Sequence, residues 1–307
     1  MHMRLNYCAL LILSTYSLLA SFVVHGKEQI VVYSRNYDNA FLHKSISNFA
    51  ALSKEEFGEY ELVKSPDMEQ GRAFAELIKG NIDIMVSAPT EKREQQANAI
   101  YVPIDRGLLG FRICMVNASK AKFSAIQSAN QFIQRSLSVG LGSHWSDREV
   151  FEDNGFKVIT SPVHESLFRM LENNRFDCLP RSINEIDAEL EQHANKGLID
   201  DQEIVFIYPN ADFIFINPDK KKLHNRISTG VGKAIEDNTF YEIFDEYYEN
   251  ELRNHNIYSR KLVFLENDNM TPAALSAINR FGIASFVFNP IRPRADSSKS
   301  SRRSDSD

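Results

Sequence analysis

One helix-to-strand unit occurs twice in this chain, and that repetition limits the fold more than any other feature. Leu77-Ile78-Lys79-Gly80-Asn81-Ile82-Asp83-Ile84-Met85 ends an amphipathic helix and enters an apolar strand, and Leu171-Glu172-Asn173-Asn174-Arg175-Phe176-Asp177-Cys178-Leu179 repeats the pattern later. Each copy has a Leu six residues before an Asp. Gly80 or Asn174 stands where a helix C-terminus needs a left-handed residue. Two α/β lobes built this way enclose a cleft, and a cleft between similar lobes points to ligand capture before it points to chemistry.

Strands and helices alternate along the chain, as in open parallel sheets. Gln29 to Ser34 reads as a strand, and Ala40 to Phe57 as a helix capped by Asp38 or Asn39 and stopped at Gly58. Tyr60 to Lys64, Gly71 to Lys79 and Ile82 to Ser87 complete a first lobe of strand, helix and strand. Two apolar stretches are long enough to cross between lobes: Gly107 to Val116, and Ile204 to Ile216 with a break at Pro209-Asn210. Between them lie the strands and helices of the second lobe, and Lys221 to Ile235 and Phe240 to Tyr248 read as helices returning to the first. The expected fold class is therefore α/β, two-lobed, with two hinge crossings, a layout suited to closing around a ligand. Its expected boundaries are 27–110 for the first part of lobe one, 111–208 for lobe two and 209–290 for the second part of lobe one.

The N-terminus runs from Arg4 through an apolar stretch, Cys8 to Val24, to the small residue Gly26 before Lys27-Glu28. That order is a secretory signal over residues 1–26. Ser14, Thr15, Ser17 and Ser21 dilute the stretch below a good spanning helix. An exported chain is expected in the periplasm, where disulfides are allowed. Cys114 and Cys178 could bridge there, but two buried free thiols are the simpler reading and the one expected. No paired Cys/His spacing of a zinc site occurs, and neither metal nor cofactor is expected. Formal net charge is −6 and the segment 291–307 is net basic, so the folded part is more acidic still. That balance argues against a nucleic-acid partner. The tail 291–307, rich in Ser and Arg, has too little apolar surface for a core and is expected to be disordered.

Ile84-Met85-Val86-Ser87-Ala88-Pro89-Thr90-Glu91-Lys92-Arg93 resembles the strand, hydroxyl-bearing turn and Thr-x-x-Arg of bacterial periplasmic solute-binding proteins of the amino-acid type. This is the family-three group with the type II periplasmic-binding-protein fold. The similarity continues through Val139-Gly140-Leu141-Gly142-Ser143, the Asn174-Arg175-Phe176-Asp177 turn and the helix from Leu223, so it spans roughly Glu28 to Leu252. The resemblance implies a monomeric Venus-flytrap receptor that hands a small solute to an ABC transporter. It makes Arg93 the clamp on a ligand carboxylate, because a guanidinium fork matches a carboxylate with two bonds. Thr90 and Ser87 belong to the same segment, Thr90 as a hydroxyl donor or a helix cap. Gly142 and Ser143 resemble the lobe-two contact, where helix-start amides meet the anion. Tyr37 corresponds to an aromatic platform or to a surface tyrosine, and Trp145 lines the cleft or seals lobe two.

Departures from the pattern bear on the ligand. Ala88 replaces a common serine, and His144 a common threonine. Five residues after Asp177, where amino-acid binders place an acid for the α-amine, stands Ser182, preceded by Arg181. Glu185 and Asp187 read as the solvated face of the next helix. A second cation, Arg181, is therefore expected to face Arg93 across the cleft, and the solute is expected to be anionic. One alternative is a ligand-sensing partner of a membrane signalling protein. Another is a cleft enzyme of the same fold using His144, His164 or Glu165, although nothing assembles these into a nucleophile, base and orienting group. A non-enzymatic binding protein is the expectation carried forward.

Overall fold

The computed structural model describes residues 27–120, 123 and 126–284, so the expected leader and the 291–307 tail lie outside the described residues. The first sheet opens with β1 (Glu28–Val32), β2 (Tyr60–Lys64), β3 (Ile84–Ser87) and β4 (Asn98–Ile100). The chain then leaves for β5 (Phe111–Asn117), β6 (Ser138–Gly142), β7 (Lys157–Ser161), β8 (Leu179–Ser182) and β9 (Leu198–Ile207). It returns to the first sheet for β10 (Phe213–Ile216) and visits the second once more for β11 (Lys261–Phe264).

Strand order shows that the two halves share one plan. The first sheet runs β2-β1-β3-β10-β4, with β1 parallel to both β2 and β3, and β10 antiparallel to β3. In the second half β6 is parallel to β7 and meets the stretch before β8 through a parallel bridge from Val139 to Cys178. There β5 runs antiparallel to β8 and continues to β9. Reading β7-β6-β8-β5-β9 against β2-β1-β3-β10-β4 gives the same arrangement twice.

The repeated sequence unit sits at matching points of these halves. Gly80 and Asn174 both adopt the left-handed conformation, with φ of 85° and 53°, and Leu77 and Leu171 are fully buried. The Asp83 carboxylate accepts the Val31 N–H of β1 at 2.8 Å, and the Asp177 carboxylate accepts the Ser138 N–H of β6 at 2.8 Å. Each Asp therefore staples its own helix-to-strand turn to the first strand of its half.

The first sheet is covered on both faces, following the two-residue alternation of strands. Ile84, Val86, Ile214 and Ile216 pack with Phe41, Ile46 and Phe49 of the helix Ala40–Leu52 and with Ile227 and Val231 of Lys221–Glu236. Met85, Phe213 and Phe215 point the other way, onto Ala73 and Leu77 of Gln70–Lys79 and onto Ala274 and Ile278 of Pro272–Phe281. In the second half an aromatic cluster of Phe132, Phe151, Phe156 and Phe206 fills the core beside Cys114 and Cys178.

Three details differ from the sequence expectations. Cys114 and Cys178 form a disulfide rather than two free thiols, because β5 and β8 lie side by side and bring their Cα atoms to 5.1 Å. The expected strand from Gly107 starts only at Phe111; before it, Leu108–Gly110 makes a 3-10 turn whose Gly107 and Leu109 N–H groups are held by Asp105. Finally, β11 extends the second sheet beside β9, within a span expected from the sequence to belong to lobe one. The helix Pro272–Phe281 then returns to the first sheet, so the chain changes sheets four times among the described residues.

Candidate functional site

A cavity of about 720 Å³ lies between the two halves, lined from the first by Asn36, Gln70 and Arg93 and from the second by Arg112, Trp145 and Arg181. The crossings put their own residues into it, Leu109 from the first and Asp212 from the second. These crossings run side by side: Ile104 donates to the Asp212 carbonyl at 2.9 Å, and the Asp212 N–H donates to Asp105 at 2.9 Å. Gly110 makes their close approach feasible, since a Cβ there would sit 2.1 Å from the Tyr208 carbonyl.

Arg93 is placed by a short helix, Glu91–Gln96, whose first turn is capped by Thr90 accepting the Arg93 N–H at 3.2 Å. Its guanidinium is buried and donates to Ser87 Oγ at 2.9 Å, the Ala88 carbonyl at 2.8 Å and Gln70 Oε1 at 3.5 Å. From the opposite wall the His144 carbonyl accepts a further bond at 3.0 Å, which ties the two halves together. Every one of these acceptors is neutral. Among the described residues no carboxylate lies within ion-pair distance of Arg93. Burial lowers its pKa to about 10, so it stays charged at neutral pH.

The arginines of the second wall are differently equipped. Arg112 meets Asp147 at 2.7 Å and Glu185 at 3.1 Å. Arg181 meets Glu189 at 2.6 Å and Glu185 at 3.0 Å, and stacks 4.7 Å from the Trp145 ring. Burial opposes the charged form of both, yet these carboxylates outweigh it and raise both guanidinium pKa values. Glu189 shows the reciprocal effect: burial would raise its pKa, but Arg181 and His164 hold it down to about 2.

Asp212 contrasts with these paired acids. Its side chain lines the cavity, and among the described residues its carboxylate has neither a hydrogen-bond donor nor a cation within ion-pair distance. Burial, and then the neighbouring Asp105, push its pKa well above the usual carboxylate range. Asp105 is fully buried, and burial raises it to about 6 although backbone N–H groups bond to it.

Of the residues singled out from the sequence, Arg93, Arg181 and Trp145 line the cavity. Ser87 is buried beneath the Arg93 guanidinium, and Thr90 serves as its helix cap. Ser143 lies in the narrow seam where the halves touch, bonded through its N–H to the Ser161 carbonyl. Tyr37 faces an outer groove, with its ring against His43. Glu185, expected on a solvated helix face, instead bridges Arg112 and Arg181 in the cavity wall. Sequence reading missed Arg112, Asp147, Glu189 and Asp212; a lone arginine in the apolar run of β5 was the available signal for the first.

No protein-family model matches the chain, and no curated protein sequence matches it. Solved structures do. An ancestral arginine-binding protein bound to arginine is 18% identical with a TM-score of 0.54, covering 73% of this chain and 100% of that one. The arginine-, lysine-, histidine-binding protein ArtJ from Geobacillus stearothermophilus is 14% identical with a TM-score of 0.53, over 73% of this chain and 96% of its own. A histidine kinase sensor domain with similarity to periplasmic binding proteins is 14% identical with a TM-score of 0.52, over 72% and 96%. By this likeness the chain has the two-lobed α/β fold of the type II periplasmic binding proteins.

Proposed function

We propose that this protein is an exported solute-binding protein whose lobes close on a small carboxylate-bearing solute for delivery to a membrane transporter. The observation that carries the reading is Arg93: a buried, charged guanidinium on the cavity wall with only neutral partners. Burying a cation without a counter-charge is costly, and a ligand carboxylate would offset that cost with charge-assisted bonds, to the remaining Nε–H and in exchange for a neutral partner such as Gln70. Because Arg93 already reaches the His144 carbonyl of the other wall, an anion bound to it would sit where the lobes meet. The Cys114–Cys178 disulfide supports an oxidising compartment, in keeping with the leader read from the sequence.

A thermal-shift screen of amino acids, dicarboxylates, peptides and aromatic acids tests the reading, since a ligand of the native state raises its melting temperature. Losing a charge-assisted bond costs about 1.5–3 kcal/mol, so Arg93→Ala should weaken the best acid on the order of tenfold to a hundredfold. Parent-like affinity in that variant, by isothermal titration, would remove the carboxylate clamp.

A further inference from the structure

We infer that the His144 side chain, seated on Gly71 across the seam, is a latch that holds the two lobes closed before any solute is bound. The inference rests on the reading of the halves as lobes that close, and it concerns what keeps them shut rather than what they hold. Gly71 carries it. This residue lies in the first turn of the helix Gln70–Lys79 on the first lobe, and its backbone is not in the left-handed conformation. Alanine is the better helix former at such a position, so the helix itself gives no reason for a glycine. The reason stands on the other lobe. A Cβ at Gly71 would come within 2.8 Å of His144 Cγ and Cδ2 and 3.1 Å of Nδ1, the three nearest atoms it would meet. Only a residue without a side chain lets the imidazole lie against that backbone.

The surrounding contacts hold His144 in place for this role. The Trp145 N–H donates to the Gly142 carbonyl at 3.0 Å and the Ser143 N–H to the Ser161 carbonyl at 2.9 Å, which folds the turn after β6 and leaves His144 as its exposed residue. Arg181 lies 4.7 Å from the Trp145 ring and steadies the turn from within the second lobe. His144 therefore meets the first lobe from a fixed support. Its carbonyl accepts the Arg93 guanidinium at 3.0 Å, so the backbone and the ring of one residue both engage the first lobe. The cavity left in this seam, between Gln70, Gly71, Ser143 and His144, measures only about 10 Å³, the space of about one water. Such a seat biases the unliganded protein toward the closed form. A solute that binds the closed form is then held more tightly than by a protein that must first close.

The test needs no solute, so its failure is separate from any failure of the Arg93 clamp. Trp145, the single tryptophan of the chain, lines the seam and reports its opening. The ligand-free parent should scatter X-rays with the radius of gyration of the closed form, and acrylamide should quench its fluorescence weakly. His144→Ala should increase the radius, shift the emission to longer wavelength and raise the quenching, while melting stays cooperative. Gly71→Ala should do the same although it improves the helix, because the added methyl group and the seated imidazole cannot share one space. In the His144→Ala background Gly71→Ala should change nothing further, since the atoms it would strike are gone. An open ligand-free parent, a closed His144→Ala or a closed Gly71→Ala overturns the latch. Equal opening by Gly71→Ala with and without the imidazole overturns it too, by placing the effect in the helix. Should Gly71→Ala fail to fold, His144→Ala, a change at an exposed position, decides alone.

Discussion

Arg93 and Arg181 are both buried arginines on the walls of one cavity, yet they stand in opposite electrostatic situations. Arg181 spends its charge on Glu185 and Glu189 and lies over Trp145, completing a wall in which two guanidinium groups face three carboxylates. Arg93 has only a hydroxyl, an amide oxygen and two backbone carbonyls. Residue type and location in a cleft therefore do not separate a ligand-holding group from a structural one; the inventory of counter-charges does. The expectation that Arg181 faces Arg93 across the cleft as a second cation for the solute is replaced by one cation without a counter-ion and one firmly paired one.

The largest effect should follow from breaking that paired wall. Arg181→Ala leaves Glu189 buried with His164 as its remaining partner, and removing one member of a buried pair costs about 3–5 kcal/mol. A fall in melting temperature is expected, with parent-like affinity for whatever acid Arg93 binds. The converse, intact stability with lost affinity, would return Arg181 to the ligand site. Acid sharpens the comparison. Glu189 is depressed to about 2 in the folded protein, so its pairing stabilises fully above its ordinary range near 4.5. That stabilisation is lost as pH falls from there toward 2. The gap in melting temperature between parent and Arg181→Ala should accordingly narrow from pH 5 to pH 3.

A second contrast separates the halves. The first is held by a sheet covered on both faces, the second by an aromatic cluster and the Cys114–Cys178 bridge, which closes a loop of sequence separation 64. Removing a bridge of this kind typically costs about 2–4 kcal/mol through the freedom returned to the unfolded chain. Cys114→Ser with Cys178→Ser should lower the melting temperature. Hydrogen exchange should speed up in β5, β6 and β8 while β1 and β3 remain protected. Equal loss of protection in both sheets would mean that the halves unfold as one unit.

What the sequence disclosed and what it hid differ in range. The Leu, left-handed residue and Asp of each repeat are legible because they satisfy a local need, ending a helix and entering a strand. Leu77, Gly80 and Asp83 do this in one half, and Leu171, Asn174 and Asp177 in the other. Arg112 with Asp147, or Asp105 with Asp212, join residues far apart in the chain, and only strand order brings them together. The disulfide was hidden for the same reason, since it needs β5 beside β8. Strand β11 escaped notice because Lys261-Leu262-Val263-Phe264 is short and only Val263 of it is buried. Arg93 could be named in advance, whereas its lack of a counter-ion could not.

The smallest expected effect concerns Thr90, the residue just behind the free arginine. A hydroxyl donor to the ligand and a helix cap predict different losses. In the structure Thr90 Oγ1 accepts the Arg93 N–H, as an N-cap side chain does in the first turn of a helix, and Thr90 is not among the residues lining the cavity. Replacing such a cap with alanine costs about 0.5–2 kcal/mol of stability. Thr90→Ala should therefore lower the melting temperature by a few degrees, and Thr90→Ser should restore it. Affinity should fall only slightly, because Ser87, Gln70 and the Ala88 and His144 carbonyls still orient the guanidinium. A loss of affinity about as large as that of Arg93→Ala, with the melting temperature unchanged, would instead place the hydroxyl on the ligand and enlarge the anion site by one donor.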